Sequence, residues 1–286
     1  MNDTKCYRLE QHEFSDGMLN LDATYIIHLE GNGREQHIHN QLKKYHPTNL
    51  VYILYNKGYK RCSKNLHLNE PKIDLIDAFV RVFKDAKHKN YKNILILEDD
   101  YIFNDKIKNK QTQTNVMEFI KKKENEPMIY MLGCLPFIQM PCDKYTNLLT
   151  CGIGTHACIY TKSVIDQVLQ ENEKDFIDWD YYTFRKYARY MYHEPLCYQL
   201  FPETENQNHW ESFFGLKFVL LQLIKLLQLD KKEEPGYAFF YNASKVLYAL
   251  IAIFVVVFIL FVAQLIYVYA LKNYNITKTI KNFKRK

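Results

Sequence analysis

Three consecutive acids, Glu98, Asp99 and Asp100, directly follow an apolar run that begins at Ile94. The run has the composition of a strand that is buried on both faces of a sheet. Ligands of open α/β sheets bind beyond the carboxyl ends of such strands. Three neighbouring carboxylates repel one another, and a divalent cation carrying an anionic ligand would hold them together. The stretch therefore indicates either a site for a metal ion and a nucleoside diphosphate, or a solvated acidic turn.

Each of these acids has an expected role in such a site. We expect Asp100 to bind Mn²⁺ or Mg²⁺ directly, and Glu98 is a second candidate metal ligand. Asp99 or Glu98 would hold the ribose of a nucleotide or the water molecules on the metal ion. Arg34 is a candidate for contacting phosphates, although an arginine at a helix start more often faces solvent.

Two further acids, Asp178 and Asp180, open a tyrosine-rich segment predicted to be a helix up to Met191. Either carboxylate could act as a general base that takes a proton from an acceptor hydroxyl. An aspartate at a helix start is also a common cap of the helix. The spacing leaves open which of the two is the base.

Three histidines are candidates for a third metal ligand or for contact with an acceptor. They are His156, His193 and His209. His156 is predicted to lie inside an apolar strand, where a lone histidine is more often a core residue than a ligand.

Alternating strands and helices position these residues. Strands are predicted at 24–29, 50–55 and 94–98, separated by helices at 34–45 and 73–89. This alternation is typical of an α/β domain with a mostly parallel central sheet. We assign residues 21–210 to one such domain, preceded by an N-terminal arm at 1–20.

The C-terminal part changes in composition. Residues 211–230 read as an amphipathic interfacial helix and 231–245 as a polar linker. Residues 246–271 contain no charged side chain, and their helix would be about 39 Å long, enough to cross a bilayer. Residues 272–286 form a basic tail. The sequence therefore predicts a single transmembrane helix near the C-terminus.

The charge of the chain bears on nucleic-acid binding, and its cysteine content bears on the redox state of its compartment. The net charge of +6 is matched by six basic residues in the tail, so the rest is nearly neutral and gives no electrostatic case for nucleic-acid binding. The seven cysteines form no CxxC pair and read as free thiols of a reducing compartment.

Residues 24–199 resemble the glycosyltransferases of family 25, the lipooligosaccharide and collagen galactosyltransferase type, and especially those of giant DNA viruses. The resemblance rests on a few ordered landmarks. They are the YIIHL strand followed by Arg34, Asp74-Leu75 at a helix start, LEDD at 97–100, GTHACIYTKSVIDQVL at 154–169, and an aspartate followed by Pro195 and Gln199. The sequence departs from the family's Asp-x-Asp metal motif by placing Glu98 first.

The resemblance implies a GT-A-like fold in one domain and an inverting hexosyl transfer from a nucleotide-sugar donor, with Mn²⁺ or Mg²⁺ as cofactor. We expect a UDP-sugar as donor and a glycan, protein or lipid hydroxyl as acceptor. The alternative is a degenerate transferase that serves as a membrane or virion structural or binding protein without catalysis. A metal-dependent phosphotransferase is disfavoured because no P-loop or kinase motif is present.

The orientation of the domain across the membrane is open to two arguments. The basic tail predicts a cytoplasmic C-terminus, with the catalytic domain on the opposite side. The polar N-terminus reads as lacking a secretory signal, and together with the free-thiol pattern it favours a cytosol-facing domain with a tail anchor. The sequence favours the cytosol-facing arrangement, with the lumenal one as the alternative.

Overall fold

The computed structural model describes residues 3–201 and 216–283, which form an α/β body and a long C-terminal helix. The predicted α/β class is confirmed. The strands are β1 Tyr7–Glu13, β2 Ala23–Leu29, β3 Leu50–Asn56, β4 Asn93–Glu98, β5 Tyr101–Phe103, β6 Met128–Met131, β7 Leu135–Pro141, β8 Thr146–Ile153, β9 Ala157–Thr161, β10 Ala188–Tyr192 and β11 Cys197–Gln199. The helices are α1 Glu35–Lys44, α2 Pro71–His88, α3 Lys110–Lys122, α4 Lys162–Val168, α5 Trp179–Lys186, α6 Leu216–Leu226 and α7 Gly236–Phe283.

Nine of the described strands form one sheet in the order β1-β3-β2-β4-β9-β6-β10-β8-β7. The pairings make β3, β2, β4, β6, β10 and β7 point one way, with β1, β9 and β8 reversed. The sheet is therefore mostly parallel in strand direction, as predicted. Strand β4 lies near its middle, between β2 and the reversed strand β9.

Helices cover both faces of this sheet because successive strand residues point to opposite sides. In β4, Ile94 and Ile96 pack with α2, α4 and α5 in one core, whereas Leu95 and Leu97 pack with α1 and α3 in the other. This double burial explains why β4 is apolar throughout until it reaches Glu98.

Local sequence signals set the ends of the helices. Pro71 stands at the first turn of α2, where its missing N–H costs nothing. Asn109 caps α3, because its side chain accepts hydrogen bonds from the N–H groups of Gln111 and Thr112.

Three parts of the body differ from the sequence predictions. The N-terminal arm contains the edge strand β1, which pairs with β3. Its side chains are mostly polar because they are largely exposed, so the sequence carried no strand signal. No strand was assigned to residues 135–149, which form β7 and the first part of β8 in a hairpin. The helix predicted to reach Met191 ends at Lys186, since the following residues pair as β10 with β6 and β8.

The C-terminal helix begins earlier than predicted. We expected a linker at 231–245, but α7 starts at Gly236 because Tyr237, Phe240 and Tyr241 are buried against the body. Residues 236–272 are long and apolar enough to cross a membrane, and the most apolar window of that stretch is not buried in the body. Helix α6 covers part of the segment expected to be interfacial, and residues 211–215 lie outside the described residues.

The cysteines are not all free. Cys6 and Cys62 form a disulfide that joins the start of β1 to the loop after β3. The prediction of seven free thiols was wrong because the two cysteines are far apart in sequence and only the β1–β3 pairing brings them together. The free thiols in the described residues are those of Cys134, Cys142, Cys151, Cys158 and Cys197.

Candidate functional site

Three other chain segments meet β4 at its carboxyl end. The end of β2 lies on one side, where Ile27 pairs with Glu98. The link between β8 and β9 lies on the other side, where the Glu98 N–H donates to the His156 carbonyl at 2.9 Å. The start of α5 brings Asp180 to the same place, with the Gly154 N–H 3.4 Å from its Oδ2. We call Glu98, Asp99, Asp100 and Asp180, together with Arg34, the acidic cluster.

Asp99 is held entirely by protein groups. Its Oδ2 lies 2.8 Å from His28 Nδ1 and accepts hydrogen bonds from the Asn32 amide at 2.6 Å and the Leu29 N–H at 3.1 Å. Its Oδ1 accepts from Arg34 at 2.8 Å. Burial alone would raise the pKa of Asp99, but His28 and Arg34 hold it below the ordinary value. Asp99 therefore positions the loop after β2, and its oxygens are already occupied.

Asp100 is partly neutralised. Its Oδ2 lies 3.1 Å from Arg34 Nη1, and its Oδ1 accepts a hydrogen bond from the Gln199 side chain at 3.0 Å. Burial and the charge of Asp99 nevertheless raise its pKa, against the opposing effect of Arg34. One guanidinium thus serves two carboxylates.

Glu98 is the carboxylate with the least support. Within residues 3–201 and 216–283, no group donates a hydrogen bond to its side chain, and no cation forms an ion pair with it. Burial raises its pKa well above the ordinary value, and the charges of Asp100, Asp180 and Asp99 raise it further. A side chain in this state is ready to accept a cation or a donor group from a ligand.

Asp180 belongs to the cluster, whereas Asp178 serves the helix. Asp178 Oδ1 accepts the Tyr181 N–H at 2.9 Å and so caps α5. Asp180 Oδ1 is inaccessible to water and has no partner among the described residues. Burial and the neighbouring Asp178 raise the pKa of Asp180 to about 7. The sequence could not choose between these two acids, and the structure brings only Asp180 into the cluster.

Of the three candidate histidines the structure describes His156 and His193, and neither imidazole has a hydrogen bond or ion pair with an acid of the cluster. His156 was expected inside a strand, but it precedes β9, because Gly154 adopts a φ of +100° that breaks the strand. Burial lowers its pKa to about 4, which the Cys197 carbonyl opposes only in part. His193 follows β10, with its ring against Tyr145 and Tyr192 and its carbonyl bound by Lys245. His209 lies outside the described residues.

Four contributors to the site were not assigned from the sequence. His28 and Asn32 support Asp99, Gln199 supports Asp100, and Tyr237 holds Gln199. Gln199 was noticed only as a landmark of the resemblance. The polar His28 at the end of an otherwise apolar strand was a usable signal, whereas Tyr237 carried none.

The side chains of the acidic cluster fit a divalent metal ion only in part. Among the described residues, no group of three or more His, Cys, Asp or Glu side chains could hold a metal ion by itself. Glu98 and Asp100 remain as two oxygen donors with raised pKa values, and Mg²⁺ or Mn²⁺ commonly uses one or two carboxylates plus phosphate oxygens. The residues therefore fit a metal that a phosphate-bearing substrate helps to bind.

Comparison with known proteins gives weak similarities. No protein-family model and no curated protein sequence matches the chain. One solved structure is a glycosyltransferase involved in glycosylation of the major capsid of PBCV-1, with 14% identity and a TM-score of 0.34 over 57% of this chain and 75% of that chain. Another is A197 from STIV, with 12% identity and a TM-score of 0.38 over 64% of this chain and 86% of that chain. Neither similarity is strong enough to indicate a function.

Proposed function

We propose that this protein is a membrane-anchored, metal-dependent glycosyltransferase that moves a sugar from a nucleotide-sugar donor to an acceptor hydroxyl. The observation that carries the proposal is the acidic cluster at the carboxyl end of β4. It places an unsupported Glu98, a partly neutralised Asp100 and an Asp180 with one inaccessible, unpartnered oxygen at one edge of the sheet. The resemblance to family 25 and its giant-virus members supports the same function.

Glu98 and Asp100 would hold Mn²⁺ or Mg²⁺ together with the donor's diphosphate. When bound, the ion would stabilise the negative charge that the diphosphate gains as the glycosidic bond breaks. Arg34 lies between Asp99 and Asp100 with its side chain partly exposed, so its guanidinium can also contact a phosphate. Asp99 keeps Arg34 in this position. We propose a UDP-sugar as the first donor to test.

Asp180 would act as the base in an inverting displacement. The acceptor oxygen forms a bond to the anomeric carbon while the bond from that carbon to the diphosphate oxygen breaks. The hydroxyl proton passes to Asp180, and the nucleoside diphosphate leaves with the bonding electron pair. A pKa of about 7 allows Asp180 to be ionised before the step and protonated after it at neutral pH.

Helix α7 would anchor the body to a membrane. A core helix of the same composition would be buried, whereas the most apolar part of α7 is exposed. The Cys6–Cys62 disulfide removes the free-thiol argument for a cytosol-facing body. We therefore favour a body in an oxidising compartment and a basic tail in the cytosol. Protease added to the cytosolic side of sealed membranes should remove a C-terminal tag and spare the body, and the reverse pattern would contradict this orientation.

The function can be tested with the complete chain in detergent. UDP-, GDP- and CMP-sugars would be screened for Mn²⁺-dependent hydrolysis and for thermal stabilisation, beside an Asp100→Asn variant. A ligand at 100 times its dissociation constant should stabilise the fold by about 2.7 kcal/mol. We expect one donor to be hydrolysed by the wild type and not by the variant. If a folded sample responds to no donor, the non-catalytic structural or binding role is favoured instead.

A further inference from the structure

The first turns of α7 are part of the folded body. Tyr237, Phe240, Tyr241 and Ser244 are buried there. The side-chain amide of Gln139 donates to the Tyr241 carbonyl at 2.9 Å and lies 2.6 Å from Ser244 Oγ. The helix that would cross the membrane is therefore fixed to the body by packing as well as by the chain.

The body ends where the apolar span begins. Lys245 Nζ donates to the His193 carbonyl at 2.9 Å, and the next residue, Val246, is already 59% exposed. Residues 246–271 continue as one uncharged helix. No spacer separates body and span, so the body must rest at the membrane surface.

A short chain of hydrogen bonds connects this helix to the acidic cluster. Gln199 donates through its side chain to Asp100 at 3.0 Å, and its backbone N–H donates to the Tyr237 hydroxyl at 2.8 Å. Tyr237 precedes Val246 by nine residues, which is about 14 Å along a helix axis. The site is thus held at a fixed and small distance from the bilayer.

Apolar side chains are exposed on the element that carries the base. Ile177, Tyr181 and Phe184 are each about half exposed around Asp180 on or beside α5. On α6, Phe218 is 67% exposed and Leu226 is 76% exposed. Large exposed apolar side chains on a body that rests at a membrane surface suit contact with lipid.

We propose that the acceptor is a membrane lipid whose head group carries the reacting hydroxyl. This inference rests on the proposed glycosyltransferase function and names the substrate class of the same site. A lipid head group is confined to the surface on which the body rests, whereas a soluble glycan or protein is not concentrated there. The apolar side chains beside Asp180 would contact the lipid around the head group.

The test uses the complete chain in phosphatidylcholine vesicles with the donor that responds in the screen. Dodecyl and methyl glycosides of the same sugars serve as membrane-held and soluble acceptors. One variant carries about 20 Gly and Ser residues between Lys245 and Val246, a flexible spacer of roughly 25 Å. A control variant carries the same insert after Lys272, where the distance between body and membrane is unchanged.

We expect transfer to the dodecyl glycoside to exceed transfer to the methyl glycoside by at least about tenfold, because the alkyl chain holds it in the bilayer. The insert after Lys245 should lower transfer to the dodecyl glycoside about threefold or more. The flexible spacer lowers the effective concentration of the site at the membrane surface. Donor hydrolysis and methyl-glycoside transfer should not change.

Equal use of the two glycosides, or sugar incorporated only into protein, would overturn the lipid acceptor while leaving the transferase intact. A complete absence of donor hydrolysis would overturn the proposed function, and the lipid acceptor with it.

Discussion

The body contains two groups of buried and half-buried acids, and the groups differ in how their charge is balanced. In the first, which we call the Lys64 cluster, Lys64 contacts Asp74 and Asp77, and Asn56 and Tyr7 also bind these acids. The Lys64 side chain is completely buried. Asp74 receives a donor at each oxygen, from Lys64 and from Asn56.

The acidic cluster has four carboxylates and one guanidinium, that of Arg34. Asp99 is fully hydrogen-bonded, but Glu98 has no donor among the described residues and Asp180 has an unpartnered oxygen. Carboxylates that are shielded from water and have no partner destabilise a fold, and such groups are concentrated at functional sites. We infer that the Lys64 cluster stabilises the fold, whereas the acidic cluster is arranged for a cationic or proton-donating ligand.

The largest expected effect is on catalysis when Asp180 is changed. Asp180→Asn keeps the shape but removes the base, so sugar transfer should fall by about 10²–10⁴-fold. Asp178→Asn is the matched control, because asparagine still caps α5, and its transfer rate should stay close to that of the wild type. Equal losses in the two variants would mean that Asp180 is not the base.

The Lys64 cluster should respond in stability instead. Lys64→Met leaves buried carboxylates without their cation, which should lower the free energy of unfolding by about 3–5 kcal/mol. Chemical denaturation measures this change. Asp77→Asn is a milder variant of the same cluster for the case in which Lys64→Met does not fold. In either variant, transfer per folded molecule should remain near the wild-type value, and a specific loss of catalysis would break the distinction between the clusters.

The disulfide braces the loop that carries Lys64. Cys62→Ser should lower the free energy of unfolding by about 2–4 kcal/mol and leave donor hydrolysis unchanged. A reducing agent should have a similar effect on the wild type and none on the variant. If a reducing agent does not change the free energy of unfolding of the wild type, the two cysteines are not paired.

The smallest expected effect is a pH-dependent one. The pKa of Asp180 is raised to about 7 by burial, so the unfolded chain releases this proton at lower pH than the folded protein does. The part of the wild-type stability that depends on the proton bound to Asp180 should therefore be lost as the pH rises from 6 to 8. Asp180→Asn lacks this loss, and its stability relative to the wild type should increase over that interval by on the order of 1–2 kcal/mol. A constant difference would mean that Asp180 titrates normally.

Several parts of the fold and site were predictable from the sequence. The apolar run into Glu98 identified a buried strand and the position of the site, because apolar composition and the sudden acids are local signals. Arg34 lies between Asp99 and Asp100, and its contact with phosphates stays a prediction. The most apolar helix was recognised from its length and lack of charge.

The remaining features depend on contacts that are distant in sequence. Asp178 and Asp180 are equivalent in local pattern, and only the packing of α5 beside Gly154 distinguishes them. Gln199 reaches Asp100 from a strand almost a hundred residues later. The early start of α7 depends on the burial of Tyr237, and no local pattern around residues 231–245 reveals it.

The most direct test of the account is the Mn²⁺ dependence of donor binding at equilibrium. Binding of the responding nucleotide sugar to the complete chain would be measured with and without Mn²⁺ for the wild type, Asp100→Asn and Asp77→Asn. We predict that the wild type and Asp77→Asn bind the donor only with Mn²⁺, and that Asp100→Asn binds about 100-fold more weakly or not at all. Donor binding that is indifferent to Mn²⁺ or to the loss of the Asp100 charge would contradict the proposed site.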